Sequence, residues 1–168
     1  MPNSEQRTDK LQLLSFTLDR EVYAIDVMKI QGVERYTEIT AIPKMPPFVE
    51  GMIDLRGQIV PVIDMKKRFS LSPIEPDNST RIIITEMNKK LTGLLVDSVA
   101  EVFQIERREI GDIPPVGGYK LNLEFLVGVV RHNEGLVMII DLEKVFTFEE
   151  KEHLTEMSGK QLDTLPDK

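Results

Sequence analysis

Residues 51–69 read GMIDLRGQIVPVIDMKKRF, and residues 128–146 read GVVRHNEGLVMIIDLEKVF. The two stretches share one order of features: a glycine, a polar tip, an apolar run, an aspartate and a phenylalanine. These matching residues are 77 positions apart, because 128 − 51, 141 − 64 and 146 − 69 give the same difference. Apolar runs on either side of a short polar tip are typical of a β-hairpin. The chain therefore contains the same hairpin-based unit twice.

The duplication extends to two halves, about 14–69 and 82–146. Runs rich in Val, Ile, Leu and Tyr, bounded by turn residues, predict short strands. These strands are expected at 11–18, 21–27, 48–55, 58–63, 81–87 and 91–96. Segments rich in proline at 40–47, 70–80 and 112–120 are expected to be loops.

About five short strands in each half, with tight turns and little helix, predict an all-β fold of two small antiparallel barrels. An exchange of strands between the halves is left open. Residues 1–10 and 158–168 are expected to be disordered or flexible. The chain is thus expected to be one domain, 11–157, made of two duplicated halves.

Four aspartates each follow a predicted strand and precede a short predicted helical turn: Asp26, Asp64, Asp97 and Asp141. The segment after Asp26 is expected to be helical up to a glycine stop at Gly32. Four carboxylates could suggest a metal site, but aspartate is a favoured N-cap that contributes about 1 kcal/mol. We therefore interpret the four as structural, together with the glycines of the strands and turns, Gly51, Gly57, Gly93 and Gly128. A further helix is predicted over 148–157.

The composition excludes several classes of function. The chain has 168 residues, a net charge of −7 and no cysteine. The negative charge argues against binding to DNA or RNA, and the lack of cysteine excludes disulfides and thiolate metal sites. No apolar run approaches the roughly 18 residues of a membrane span, and residues 1–10 do not have the pattern of a signal peptide. The protein is expected in the cytoplasm, without a cofactor or bound metal.

Motifs of covalent chemistry are missing from the sequence. It contains no GxxxxGK[ST], GxGxxG, HExxH or GxSxG pattern. The two histidines, His132 at a predicted hairpin tip and His153 in the predicted tail helix, are interpreted as surface residues. Arg56 lies in the DLRG turn, where Asp54 and Gly57 already account for the turn geometry. From its position alone, Arg56 is either turn surface or a binding residue.

The order of motifs resembles the CheW chemotaxis coupling-protein family. The resemblance spans about Leu13 to Phe148 and is carried by LLSFTL, VYAIDVMKIQGV, IPKMPPFVEGMIDLRGQIVPVIDMKKRF, LTGLLVDSVAEVFQI, FLVGVV and MIIDLEKVF. Its most specific block is GxxxLRGxxxPxxD, which runs here from Gly51 to Asp64. Two positions depart from the family pattern, since Gly32 stands where glutamate is common and Asp54 stands where asparagine is common.

The resemblance implies two Src-homology-3-like five-stranded β-barrels around a shared central core, and no enzymatic activity. It implies an adaptor that couples the cytoplasmic tips of transmembrane chemoreceptors to the regulatory domain of the histidine kinase CheA. Such an adaptor is recruited from the cytoplasm to membrane-associated receptor arrays without inserting into the membrane, and it is a monomer outside arrays. Because only about 20 residues follow Phe148, a stand-alone coupling protein is expected, rather than one with an added receiver domain.

The family's receptor groove implies one set of contact residues, namely Ile30, Gly32, Val33, Leu55 and Arg56. Ile30 and Val33 are three positions apart and are expected to share a helix face, although both could instead cover the core. A proline-stiffened loop is predicted to contact the kinase through Ile113, Pro114, Pro115 and Val116, although such a loop could also simply close the barrel. Two alternatives to an adaptor remain: a barrel that binds a small ligand, and a structural protein that associates with itself.

Overall fold

The computed structural model of the protein describes residues 9–113 and 124–157. Within these ranges the chain forms ten strands and two short α-helices, α1 (Met65–Arg68) and α2 (Phe148–Met157). Single 3-10 turns lie at Val27–Lys29, Arg107–Glu109 and Leu142–Lys144. The strands are β1 (Lys10–Leu18), β2 (Glu21–Asp26), β3 (Ile30–Arg35), β4 (Val49–Leu55), β5 (Gln58–Asp64), β6 (Arg81–Met87), β7 (Lys90–Val96), β8 (Ser98–Glu106), β9 (Leu126–His132) and β10 (Gly135–Ile140).

The strands form two five-stranded sheets with the same topology. The first sheet has the order β8-β1-β2-β10-β9, and the second has the order β3-β6-β7-β5-β4. In each sheet one pair is parallel, β10 with β2 in the first and β5 with β7 in the second. If each strand of the first sheet is replaced by the strand five places earlier or later in the chain, the order of the second sheet results. The mostly β fold with two five-stranded sheets confirms the predicted fold class, but the parallel pair in each sheet departs from the expected antiparallel pairing.

Neither sheet is built from one sequence repeat. The first sheet combines β1 and β2 of the first repeat with β8, β9 and β10 of the second. The second sheet combines β6 and β7 with β3, β4 and β5. Accordingly, one compact unit contains the described residues up to Met28 and those within Ala100–Phe146, and the other contains Lys29–Val99 and the described residues from Thr147. We call these unit 1 and unit 2.

Each unit has its own apolar core on the inner face of its sheet. The core of unit 1 includes Leu13, Ala24, Phe103, Ile105, Val130, Val137 and Ile139. The core of unit 2 includes Ile53, Val60, Val62, Ile74, Ile82, Ile84 and Leu95. Alternate residues of the same strands, such as Phe16 in β1 and Ile83 in β6, are also fully buried. Apolar side chains on both faces explain why these strands are nearly continuous hydrophobic runs in the sequence.

Two predicted helices are strands in the structure. The segment after Asp26 makes only the 3-10 turn Val27–Lys29 and then continues as β3, so Gly32 lies within a strand and ends no helix. The segment after Asp97, predicted as a short helix, is the nine-residue strand β8. Both segments are short and apolar, and in such runs a helix and a strand cannot be told apart by periodicity. Helix α2, in contrast, has the predicted bounds.

Candidate functional site

The DLRG turn connects β4 and β5 in unit 2. Leu55 and Gln58 face each other as the last pair of the hairpin, so Arg56 and Gly57 form a two-residue turn. The carboxylate of Asp54 accepts a hydrogen bond from the Gly57 N–H at 2.8 Å and holds the turn. Leu55 is half-buried and packs against the core of unit 2. The Arg56 side chain is 80% exposed, so its guanidinium can reach a bound partner.

Arg56 forms an ion pair with a residue that the sequence did not single out. Its Nη2 donates to Oε1 of Glu34, in β3, at 3.2 Å. Glu34 lies two positions after Gly32, on the same face of the strand. No local pattern in the sequence connects Glu34 with Arg56, because the two residues are 22 positions apart and are brought together by the folded sheet.

Strand β3 divides the predicted receptor-binding residues between two faces. Gly32 and Glu34 lie opposite Ile84 and Ile82 of the inner core, whereas Val33 lies opposite Ile83, which is outside that core cluster. Directly paired residues of neighbouring strands point to the same face.

The two apolar candidates of β3 differ in exposure. Ile30 is half-buried and Val33 is 41% exposed. The expectation that they share a helix face is wrong, because the segment is a strand. The register shift between Ile30 and Gly32 nevertheless places them opposite Thr85 and Ile83, which are two apart in β6 and point to the same face.

Unit 1 carries a corresponding turn between β9 and β10. Asn133 takes the position of Arg56, 77 residues later, and its side-chain amide donates to the Glu101 carboxylate at 2.9 Å. His132 also contacts Glu101, and its ring stacks on Phe103 with a centroid distance of 3.8 Å. In both units the hairpin turn thus contacts a glutamate of the strand at the opposite edge of the sheet, β3 or β8.

Three of the four aspartates cap a turn as predicted. Asp64 accepts from the N–H groups of Lys66 and Lys67, Asp141 accepts from Glu143, and Asp26 accepts from Met28. Asp97 is the exception, because β8 follows it directly, and its carboxylate lies 3.9 Å from Nζ of Lys66. The prediction of a helix cap at Asp97 is wrong.

The singled-out glycines lie where a side chain would be costly. A Cβ on Gly51 would approach the Thr40 carbonyl oxygen to 2.0 Å, and one on Gly128 would approach that of Gly111 to 2.5 Å. At Gly93 it would meet Cγ2 of Ile82 at 2.8 Å. Gly57 has a φ of 86°, a conformation that L-residues rarely adopt. Close packing or backbone conformation thus requires each of these glycines.

Most of the predicted kinase-binding loop lies outside the described residues. This applies to Pro114, Pro115 and Val116. Ile113 is described and is half-buried. It follows Gly111, which pairs with Val129 of β9 through two backbone hydrogen bonds. The described start of the loop is therefore attached to the sheet of unit 1.

One tyrosine has a perturbed pKa. Burial raises the pKa of the Tyr23 phenol, and the negative charges of Glu21 and Asp19 raise it further. The ring stacks on Phe16, with the two centroids 5.9 Å apart. Tyr23 is therefore a protonated packing residue at neutral pH.

Searches for two other kinds of site gave nothing within the described parts of the chain. No three or more His, Asp or Glu side chains in 9–113 and 124–157 are grouped so as to hold a metal ion. Across the same residues, the helices are too short or too polar to span a bilayer.

Comparison with known proteins gives consistent matches. The family model described as "CheW-like domain" matches residues 12–150. The chain is 32% identical over 139 residues to the chemotaxis protein CheW of Klebsiella aerogenes, covering 83% of each chain. It is also 32% identical over 139 residues to the chemotaxis protein CheW of Thermotoga maritima, covering 81% of this chain and 87% of the relative.

A solved structure matches as well. The crystal structure of the scaffolding protein TtCheW from Thermoanaerobacter tengcongensis superposes with a TM-score of 0.72 at 37% sequence identity. The match covers 81% of this chain and 92% of the other.

Proposed function

Because the chain belongs to the family of CheW-like domains, we propose that it is a non-enzymatic chemotaxis adaptor. In this proposal it couples transmembrane chemoreceptors to the histidine kinase CheA, holds both in signalling arrays and transmits the state of the receptors to the kinase. It works in the cytoplasm and is recruited to arrays at the membrane. Relatives named as chemotaxis proteins and a structure named as a scaffolding protein support this role.

The single observation that carries the proposal is the exposed guanidinium of Arg56 on a well-defined turn. Arginine presents several donors in a planar group, which suits a carboxylate or the free carbonyls at a helix end. In this proposal the helical tip of the receptor supplies such an acceptor. We propose that Arg56 makes the polar contact with the receptor. The adjacent Leu55, which packs against the core of unit 2, holds the turn in position for this contact.

The apolar part of the proposed receptor contact lies along β3. Val33 is 41% exposed and Tyr36, just after the strand, is 39% exposed. An amphipathic helix can bind by laying its apolar face against such residues. Ile30 and Gly32 are half-buried, and we assign them the role of shaping this edge of the sheet.

We propose that the kinase binds elsewhere, through its regulatory domain, at the loop that contains Ile113, Pro114, Pro115 and Val116. An adaptor must hold receptor and kinase together, so the two contacts must not overlap. Rigid prolines present neighbouring apolar residues at a low cost in entropy. An apolar contact of this kind should tolerate moderate salt better than an interface of ion pairs.

A competition titration tests this arrangement. The kinase regulatory domain is bound to the protein, and a purified fragment of a receptor's cytoplasmic tip is then added to saturation. We expect the affinity for the kinase domain to stay the same or to increase. Competitive displacement of the kinase domain would contradict the two-surface proposal.

The variant Val33→Asp tests the receptor side of the same experiment. It should weaken binding of the receptor tip while leaving the circular dichroism spectrum and kinase binding unchanged. Leu136→Asp is the matched control, because Leu136 is also an exposed apolar residue, 61% exposed, but lies in unit 1. Equal receptor binding by both variants would remove Val33 from the proposed site.

A further inference from the structure

An ion pair and a buried leucine attach helix α2 to the rest of unit 2, where the helix contacts β5 and β7. Nη2 of Arg68, the last residue of α1, lies 3.3 Å from Oε1 of Glu150, and the two side chains are only 27% and 21% exposed. Leu154 is 2% exposed and follows Glu150 by four residues, so both face the same side of the helix. Among the side chains described in α2, Leu154 alone is buried.

The carboxylate that attaches α2 also begins the helix. Oε1 of Glu150 accepts a hydrogen bond from the Thr147 N–H at 2.7 Å, and the Thr147 hydroxyl oxygen accepts one from the Glu150 N–H at 3.1 Å. This reciprocal pair is a capping box, which satisfies N–H groups that the first turn leaves without partners. The same Oε1 atom accepts from Arg68. Formation of the helix and its attachment are therefore coupled.

The receiving side is built around the Arg68 guanidinium. Its Cζ lies over the ring of Phe48, 5.0 Å from the centroid, and Phe48 is itself 8% exposed. This cation–π contact holds the guanidinium in place. We call Phe48, Arg68 and the parts of β5 and β7 that α2 contacts the helix-binding site.

Unit 1 shows that a sheet of this topology forms without such a helix. Phe125 and Val145 are 77 positions after Phe48 and Arg68, and the carbonyls of both phenylalanines accept equivalent hydrogen bonds of 2.8 Å. No α-helix lies among the described residues of unit 1. Val145, at the position of Arg68, is uncharged and 2% exposed. The helix-binding arginine is thus a feature of unit 2 that the repeated fold does not require.

We infer that α2 is a displaceable occupant of the helix-binding site, and that the site takes an acidic helix of a partner protein when α2 is released. With 10 residues, α2 is shorter than the roughly 12–15 that an isolated helix needs to be stable in water, so it unfolds as it leaves. The occupant in place defines the chemistry of the partner: a carboxylate for Arg68, followed four residues later by an apolar side chain. The inference goes beyond the coupling role and does not depend on it.

Hydrogen exchange measured by mass spectrometry tests the release of α2. Glu150→Gln keeps the capping box, because glutamine also serves in it, but removes the charge that Arg68 binds. The amides of 148–157 should then exchange about fivefold faster than in the wild type, while those of β5 and β7 stay unchanged. Arg108→Gln is the matched control. It breaks the exposed ion pair with Glu106 and should leave exchange in 148–157 as it is.

A peptide with the sequence of residues 147–157 tests the site itself. It is added to the isotope-labelled full chain that carries Glu150→Gln, and it should shift the NMR signals of Phe48. Half-saturation is expected at millimolar concentration, because the peptide competes with a tethered helix. Adding Arg68→Gln to the protein, or Leu154→Asp to the peptide, should weaken this binding at least about fivefold.

Three results would overturn the inference. If Glu150→Gln accelerates exchange in β5 and β7 as much as in 148–157, α2 is an integral part of the sheet. If exchange in 148–157 is the same in this variant as in the wild type, the ion pair does not hold the helix. If the peptide leaves the Phe48 signals in place, the site accepts no helix other than its own.

Discussion

Asp64 and Asp141 occupy the same position in the two repeats but differ in burial and in the hydrogen bonds that their carboxylates accept. Asp64 is buried, with 1% exposure, and accepts hydrogen bonds from the N–H groups of Lys66, Lys67 and Ile74 at 2.9, 3.2 and 3.0 Å. The third of these bonds fixes the loop after α1. Asp141 is half-buried and accepts from Glu143 at 3.0 Å. The two caps should therefore differ in their contribution to stability.

We expect Asp64→Ala to lower the free energy of unfolding by about 3 kcal/mol, because it leaves buried N–H groups without an acceptor. Asp141→Ala, the matched control, should cost about 1 kcal/mol, as is usual for the loss of a helix cap. Urea denaturation of both variants measures the difference. Equal losses would show that the bond to Ile74 contributes nothing.

At this scale the sequence predicts local roles well and distant ones poorly. A cap or a turn depends on a few neighbouring residues, so Asp64, Asp141 and the DLRG turn could be recognised from spacing. Glu34 could not be linked to Arg56 in the same way, because 22 residues separate them and only the folded sheet brings them together. The error at Asp97 has the same origin, since the segment after it becomes a strand through pairing with β1.

A bulge and a buried glycine recur at the start of each repeated hairpin. The ladder of β4 shifts register between Val49 and Gly51, and that of β9 shifts around Gly128. Next to each bulge, one bridge connects the strand to a preceding loop, Thr40 with Met52 and Gly111 with Val129. The glycines allow these backbones to come so close.

Alanine at these glycines should disrupt the bridge. Gly51→Ala is expected to cost roughly 3 kcal/mol or more, because its Cβ would lie 2.0 Å from the Thr40 carbonyl oxygen. Gly128→Ala should also destabilise, with a contact of 2.5 Å to the Gly111 oxygen.

Gly32→Ala is the control for both, because nothing lies within 4 Å of its Cβ position. Its free energy of unfolding should stay within about 0.5 kcal/mol of the wild type. Melting curves of the three variants rank them, and a Gly32 variant as unstable as the Gly51 variant would contradict the packing argument.

At the level of elements, strands with strong turn signals on both sides were predictable, and short apolar segments were not. The hairpins at 48–64 and 81–96 are bounded by Gly, Asn or Asp at their tips, so their bounds followed from the sequence. The segments that became β3 and β8 have spacings that also suit a helix. They are strands because β6 and β1 provide edges to which they bond.

The whole molecule shows why a duplicated sequence does not divide into its two copies. Each sheet takes a hairpin from one repeat and three strands from the other. The sequence predicts the duplication and the number of strands. It carries no local signal that tells whether the three other strands of a repeat pair with that repeat's own hairpin or with the hairpin of the other repeat. The same hydrophobic pattern satisfies either pairing.

This exchange predicts that the protein survives a cut between its repeats. A protease site inserted after Glu75, in an exposed part of the 70–80 loop, separates β1–β5 from β6–β10. The two fragments should elute together from a size-exclusion column, because strand ladders in both sheets join them: β1 with β8, β2 with β10, β3 with β6 and β5 with β7.

The uncut protein with the same insertion controls for effects of the inserted site. After cleavage, addition of denaturant should separate the fragments, and its removal should restore the joint peak. Fragments that come apart in native buffer would contradict the exchange of strands.

Along the sequence, the strands of the second sheet lie between the first two and the last three strands of the first sheet. This order determines which sheet can form first during synthesis on the ribosome. All strands of the second sheet lie between Ile30 and Val96, so they are complete before the last three strands of the first sheet are made. The hairpin of β1 and β2 is translated first but needs β8 and β10, and 114 residues separate Asp26 from Ile140 (140 − 26). At synthesis rates of about 5 to 20 residues per second, it waits roughly 6 to 23 s with its apolar side chains uncovered. This first hairpin is therefore the part of the nascent chain most in need of protection by a chaperone.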